Sequence, residues 1–231
     1  MKDKPYNSMN IPIITVDGPS GSGKGTISRE VANILSWKIL DSGSLYRITA
    51  FAVRKYNLNI NNEVDVKTML SSLNINFDIS CNGEQLIFLN QENITNLIRD
   101  EKCGIDASIV ARYPSVRGEL ISLQRSFIET PGLVADGRDM GTVVFPEAGL
   151  KIFLTASLEE RAKRRHKQLK ELGINVSLTA VSRDISIRDK QDQEREHAPL
   201  VPASDACIID SSKMSIKEVS EEIIKLHKYS D

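Results

Sequence analysis

The sequence predicts an α/β fold: a parallel sheet flanked by helices, with a small antiparallel insertion and a helical segment placed before the last strand. Three observations carry this. Apolar, strand-like runs recur at 13–16, 37–40, 132–135, 150–154 and 206–210, and stretches with helical apolar spacing join most of them. The first run passes directly into a glycine loop and a helix start, Gly18-Pro19-Ser20-Gly21-Ser22-Gly23-Lys24-Gly25-Thr26, the strand–loop–helix order of a phosphate cradle. Between two further apolar runs, 75–79 and 86–89, stands the pair Asn82-Gly83, the strongest short-range hairpin signal.

The cradle fits G-x-x-x-x-G-K-x-T. Its glycines let backbone N–H groups turn onto phosphate oxygens. Lys24 supplies a mobile charge, and the helix behind it offers unpaired N–H groups and the positive end of its dipole. Thr26 places a hydroxyl where a nucleotide-bound magnesium ion can use it. Apolar residues at Ile27, Val31, Ile34 and Leu35 then give helix 27–35 one core face, and the strand 37–40 completes a β-α-β unit at Asp41-Ser42-Gly43. Ligands of open parallel sheets gather at the carboxyl ends of strands, which puts Asp41 and Ser42 on the rim of the glycine loop. The same residues also read as the cap of the next helix, 44–56. Arg47 falls in that helix's first turn, where a cation gains nothing from the dipole, so an anionic ligand is a candidate reason for it.

From 57 to 100, Asn-rich connections surround a short helix at 64–73 and the hairpin, which lies outside the main sheet. Helices at 101–112 and 115–130 follow and carry Ser108 and Arg117, with Pro114 favouring the break between them. The strand 132–135 ends in Asp136-Gly137-Arg138-Asp139-Met140-Gly141-Thr142. Two acids and an arginine at the end of a core strand belong at the active rim. After the strand 150–154, Ser157 caps a helix opened by Glu159 and Glu160. It continues through Arg161, Lys163, Arg164, Arg165, Lys167 and Lys170, a charge run of which half reads as a solvated face. In 179–197, Arg188, Asp192 and Arg195 recur at helical spacing, so Asp192 can pair with both arginines and hold two cations ready over the cradle. There they would keep water out and neutralise charge on a transferring phosphoryl group. Ala198-Pro199-Leu200-Val201-Pro202-Ala203 ends the segment, and an amphipathic helix at 216–226 follows the last strand.

Composition narrows the function. With 40% hydrophobic and 26% charged residues, 231 residues suit one sizeable core with inserted pieces. A formal net charge of −1 argues against a nucleic-acid polymer or a membrane as partner, so anionic substrates must meet a local basic cleft. No apolar run of about eighteen residues occurs, and Met1-Lys2-Asp3-Lys4-Pro5 leads into polar residues rather than a signal core. A cytoplasmic protein is expected. Cys81, Cys103 and Cys207, odd in number and without metal-ligand spacing, suit a reducing compartment.

Gly-Lys-Gly-Thr is the cradle variant associated with nucleoside monophosphate kinases. Taken with Asp41-Ser42-Gly43, Tyr46-Arg47, Ala135-Asp136-Gly137-Arg138-Asp139-Met140-Gly141, the pattern R-D-x-x-D-x-x-R from Arg188 to Arg195, and Ala198 to Ala203, it makes the chain resemble the bacterial cytidylate kinases from Ile13 to about Lys225. The resemblance implies one kinase domain with a P-loop NTPase core at about 11–41, 131–157 and 198–231, a monophosphate-binding region at about 42–130 and a lid at about 158–197. It implies phosphoryl transfer from ATP, accompanied by Mg²⁺, to CMP or dCMP; a monomer is expected. By motif, Gly18, Pro19, Ser20, Gly21, Ser22, Gly23, Lys24, Gly25 and Thr26 would bind ATP, with Lys24, Arg138, Arg188 and Arg195 catalytic. Ser42, Arg47, Ser108, Arg117, Arg138, Asp139, Arg188, Asp192 and Arg195 would hold the acceptor, Arg47 on its phosphate; Ser108 and Arg117 rest mainly on the resemblance. Thr26 would contact the metal, and Asp136 or Asp41 would reach it through water.

Cytosine presents an N4 donor that the carboxylate of Asp139 can accept, whereas uracil presents an oxygen there. A contact of this kind gives about 1–3 kcal/mol of discrimination. Gln191, Glu194 and Glu196, at variable positions of the lid motif, lower its local charge. Another P-loop kinase, for UMP, AMP, dTMP or shikimate, would share the cradle and lid but differ at Arg138-Asp139. A GTP-binding switch would need an Asn-Lys-x-Asp motif, which the sequence lacks.

Overall fold

The computed structural model describes residues 10–79, 85–171 and 173–230. Cys81 and the Asn82-Gly83 turn lie outside the described residues. The elements run β1 (Ile13–Asp17), α1 (Lys24–Leu35), β2 (Lys38–Asp41), α2 (Ser42–Lys55), α3 (Glu63–Ser71), β3 (Ile75–Ile79), β4 (Gln85–Leu89) and β5 (Glu92–Asn93). They continue with α4 (Glu101–Val110), α5 (Pro114–Arg125), β6 (Leu133–Gly137), β7 (Leu150–Thr155), α6 (Leu158–Glu171), α7 (Leu178–Glu194), β8 (Cys207–Asp210) and α8 (Ile216–Ser230). The chain divides into two compact units, one made of the chain up to Asp41 together with everything from Gln124 onward, the other of Ser42–Leu123. Among the described residues no helix is long and apolar enough to cross a membrane.

In the first unit the five expected strands form one sheet in the order β2-β6-β1-β7-β8, and every neighbouring pair is parallel. β1 and β6 are buried along their whole length. That is why they read as continuous apolar runs: a strand covered on both faces has no solvent side to alternate with. Ile14, Val16, Val134, Ile152, Leu154 and Ile209 from the strands pack with Ile27 and Val31 of α1 and Val219 and Ile223 of α8. A satellite core of Ala162, Leu169, Val181 and Ile185 joins α6 to α7. Asp17 pairs in register with Gly137, and Asp41 with Asp136, so the carboxyl ends of β1, β2 and β6 finish on one rim.

The second unit holds the antiparallel sheet β3-β4-β5, with Phe77 opposite Ile87. The hairpin was expected, whereas the short third strand was not legible. Its helices bury Leu45, Ile48, Val66, Leu70, Val110, Val116 and Leu120. Asn62 caps α3, and Asp100 caps α4 by accepting the Cys103 N–H. Pro114 is the first residue of α5, where its missing N–H costs no helical bond. α2 starts at Ser42, so Ser42 and Gly43 lie inside the helix rather than capping it, and Arg47 falls in its second turn, not its first. Ser42 and Ser44 are both buried, and packing of that first turn overrides the local preference of Asp-Ser-Gly for a cap.

Candidate active site

At the end of β1 the chain turns at Gly18 with φ +150°, and a Cβ there would sit 2.0 Å from the Leu154 carbonyl oxygen. Only glycine passes that close to β7. Gly23, at φ 96°, is the N-cap of α1, and its carbonyl accepts the Thr26 and Ile27 N–H groups at 3.1 and 3.0 Å. The helix therefore begins on the loop itself, with its positive end there. Lys24 is buried, and its Nζ donates to the Pro19 carbonyl at 2.7 Å, which also accepts the Ser22 hydroxyl at 3.1 Å. Burial first, and then the charge of Arg138, lower the Lys24 ammonium to about 7 against the pull of Asp136, Asp17 and Asp192. Asp136 moves oppositely, up to about 7, because burial outweighs Lys24.

A Cβ on Gly25 would lie 3.2 Å from Asp136 Oδ2, which places this carboxylate beneath the first turn of α1. Thr26 is exposed beside it. A hydroxyl and a carboxylate are the hard oxygen donors that magnesium takes, so these residues fit a nucleotide-bound ion.

Arg138 leaves the end of β6 and donates from Nε to Asp192 Oδ2 at 2.8 Å. Burial would raise the Asp192 carboxyl, but Arg138, followed by Arg195 and Arg188, holds it below the usual carboxylate range. The sequence reading had Asp192 shared between Arg188 and Arg195 along one helix. Instead its hydrogen-bonded partner comes from β6, and both other arginines act as neighbouring charges. Helical spacing also fails at Arg195: α7 ends at Glu194, and Arg195 has φ −65°, ψ 138°. The physical reason is that the following segment folds back, with Leu200 N–H donating to the Asp192 carbonyl at 2.8 Å and Arg195 Nε donating to the Ala198 carbonyl.

Two further arginines support the loop and were not singled out from the sequence. Arg161 donates to the carbonyls of Ser20 (3.0 Å) and Ala156 (2.9 Å) and to Asp189 Oδ2 at 2.6 Å. Arg164 reaches the carbonyls of Ser22 (3.3 Å) and Ser211 (2.7 Å). Within the basic run of α6 these two brace the outward carbonyls of the loop. A signal was available, since Arg161 lies two turns before Leu169 on the buried face.

In the second unit, Arg47 donates from Nη1 to the carbonyls of Ile98 (2.9 Å) and Asp100 (3.0 Å). A Cβ on Gly104 would meet its Nη2 at 2.7 Å, so the guanidinium lies flat against α4. Ser108, one turn further along α4, donates to the Gly104 carbonyl at 3.2 Å. Gly104 and Ser108 share a helix face, so Arg47 packs on the side of α4 that carries Ser108. Arg117 of α5 is buried and sits over the Tyr46 ring, 5.9 Å from its centroid. Ser42 is buried at the start of α2.

A family model described as cytidylate kinase matches residues 14–229. The cytidylate kinase of Colwellia psychrerythraea is 51% identical over 213 residues, which covers 92% of this chain and 94% of that one. That of Pseudomonas savastanoi pv. phaseolicola is 52% identical over 214 residues, covering 92% and 93%. The crystal structure of an uncharacterized protein from Eubacterium ventriosum superposes with a TM-score of 0.51 at 12% identity, covering 93% of this chain and 97% of that one; this is a likeness of fold. The matched span, 14–229, takes in the cradle, the Arg138-Asp139 turn and α7, and with relatives about half identical over nine-tenths of its length the chain belongs to the cytidylate kinase family.

Proposed function

We propose that the protein transfers the γ-phosphoryl group of ATP to CMP or dCMP, giving CDP or dCDP, as a step of pyrimidine nucleotide metabolism. The observation that carries this reading is the cluster at the end of β1: a buried lysine turned onto the Pro19 carbonyl of the glycine loop, under the opposing charges of Asp136, Asp17 and Arg138. Such a cluster is built to receive added negative charge. An arriving triphosphate offers Lys24 a better acceptor than the Pro19 carbonyl and restores its full positive charge. The acceptor oxygen of a nucleoside monophosphate is already an anion, so no strong general base is required. Catalysis is then positioning and electrostatics in line between donor and acceptor.

Residues 18–26 hold the ATP phosphates, with Lys24, Arg138, Arg188 and Arg195 sharing the developing charge. Arg47 takes the acceptor phosphate, and Ser42, Ser108, Arg117 and, from the lid, Asp192 are assigned to acceptor binding. Asp139 accepts the cytosine N4 donor. Thr26 would hold Mg²⁺, with Asp136 or Asp41 reaching it through water, and the ion would supply neutralisation of phosphate charge. The protein is read as a monomer, and its free nucleotide substrates support a cytoplasmic setting.

The test is ADP release with ATP and each monophosphate in turn, in ribose and deoxyribose forms. CMP and dCMP should turn over, with UMP weaker by roughly 10- to 100-fold in kcat/KM. A preference for UMP overturns the assignment of Asp139, and acceptor-independent hydrolysis of GTP overturns the whole reading.

A further inference from the structure

The turn that carries Arg138 and Asp139 is gripped from β1. Asp17 Oδ1 accepts the Met140 N–H and Oδ2 accepts the Gly141 N–H, each at 2.8 Å and each buried. Asp17 is also the register partner of Gly137. The chain therefore leaves β6 opposite Asp17, passes through Arg138 and Asp139, and returns at once to the carboxylate of the same residue. Asp139, itself buried, has φ −147° and ψ 23°, and its carbonyl accepts the N–H groups of Val143 (2.9 Å) and Val144 (3.2 Å) in the π-helical turn Met140–Val144. On the inner side the turn packs so closely that a Cβ on Gly141 would stand 2.8 Å from Thr15 Oγ1 and 3.2 Å from Lys151 Cδ.

We propose that Asp17 is a positioning residue for base discrimination: its two oxygens fix the backbone of Met140 and Gly141 and thereby set where the Asp139 carboxylate stands. The inference rests on Asp139 reading the base. Only a carboxylate accepts both amides, since asparagine would turn an NH₂ toward one of them. Burial pushes the Asp17 carboxyl up to about 6, so a charge is kept here at a cost that packing alone would not justify.

The test compares Asp17→Asn and Asp139→Asn with the unaltered protein, reading kcat/KM for CMP and for UMP at saturating ATP. Asp17→Asn should lower the CMP/UMP ratio at least fivefold and raise KM for CMP, whereas a purely structural loss lowers both substrates equally and leaves the ratio intact. If Asp139→Asn collapses the ratio and Asp17→Asn does not, the positioning role is overturned while the reading of Asp139 stands. If Asp139→Asn leaves the ratio unchanged, both are overturned. Should Asp17→Asn fail to fold, the unaltered protein still decides by NMR: the Met140 and Gly141 amide signals should titrate with the Asp17 carboxyl. Amides that stay still while that carboxyl titrates refute the proposal.

Discussion

In the first unit, burial above all moves Lys24, Asp17 and Asp136 away from their ordinary values, and Arg138 holds Asp192 below its own against burial. In the second, Arg47 is oriented by the neutral carbonyls of Ile98 and Asp100, and Arg117 lies over the face of Tyr46. The difference teaches how each unit is prepared for an anion. Carbonyls and aromatic faces orient a guanidinium without cancelling its charge. A buried set of opposed charges is instead held in a balance that an incoming phosphate tips. Substitutions in the first unit should therefore change turnover and stability in separable ways, while those in the second should act mainly on acceptor affinity.

The largest effect is expected for Lys24→Met. Turnover should fall by roughly 100- to 1,000-fold, while the melting temperature without ligand holds or rises, because a buried ammonium beside Arg138 is removed. An unfolded or fully active variant would break the comparison at its centre. Arg138→Met comes next: Asp192 loses its hydrogen-bonded guanidinium, which should cost roughly 2 kcal/mol in denaturant unfolding for this partly exposed pair. Adding Asp192→Leu should recover the stability but not the turnover.

Arg47→Lys tests the other side. Lysine cannot span the two carbonyls, so the affinity for CMP by calorimetry should fall about tenfold, with stability lower by only about 1 kcal/mol. A stability loss as large as that of Arg138→Met would erase the distinction between the units.

A pH series sharpens it further. Folding raises the Asp136 carboxyl from 3.8 to about 7, so between those values the folded chain holds a proton that the unfolded chain has released. The associated stability is complete below the unfolded value and is lost as pH rises through about 7. Asp136→Asn does not titrate, so its melting temperature should gain on that of the unaltered protein between pH 5 and pH 8; a constant gap would show that the carboxyl is not raised. The smallest effect is expected for Glu159→Gln, which removes the exposed Lys163–Glu159 pair and should leave turnover and melting unchanged within error.

Much of this was legible beforehand. The five parallel strands appear within a residue or two of their expected places, because buried strands announce themselves as apolar runs. The antiparallel pairing of β3 with β4 was expected from the Asn-Gly signal between two apolar runs. The start of α2 was misplaced because burial of Ser42 and Ser44, not their capping preference, governs it. The end of α7 was misplaced because the bond from Leu200 to Asp192 that stops it belongs to a returning segment. Arg161 was read with a solvated run although its spacing from Leu169 hinted at the buried face; that its partner is the Ser20 carbonyl is set by packing far along the chain.

The sequence by itself determined the cradle: glycines that pass where no Cβ fits, a lysine at a fixed interval and a helix start are all encoded within a dozen or so consecutive residues, and short-range sterics suffice to read them. Only the tertiary structure decided which charge answers which. Asp192 meets Arg138 from 54 residues away, and Asp17 grips amides 123 and 124 residues on. Periodicity reports which side of an element a residue occupies, while the partner across the gap is chosen by how the sheet and helices pack and by the cost of leaving a buried charge unanswered.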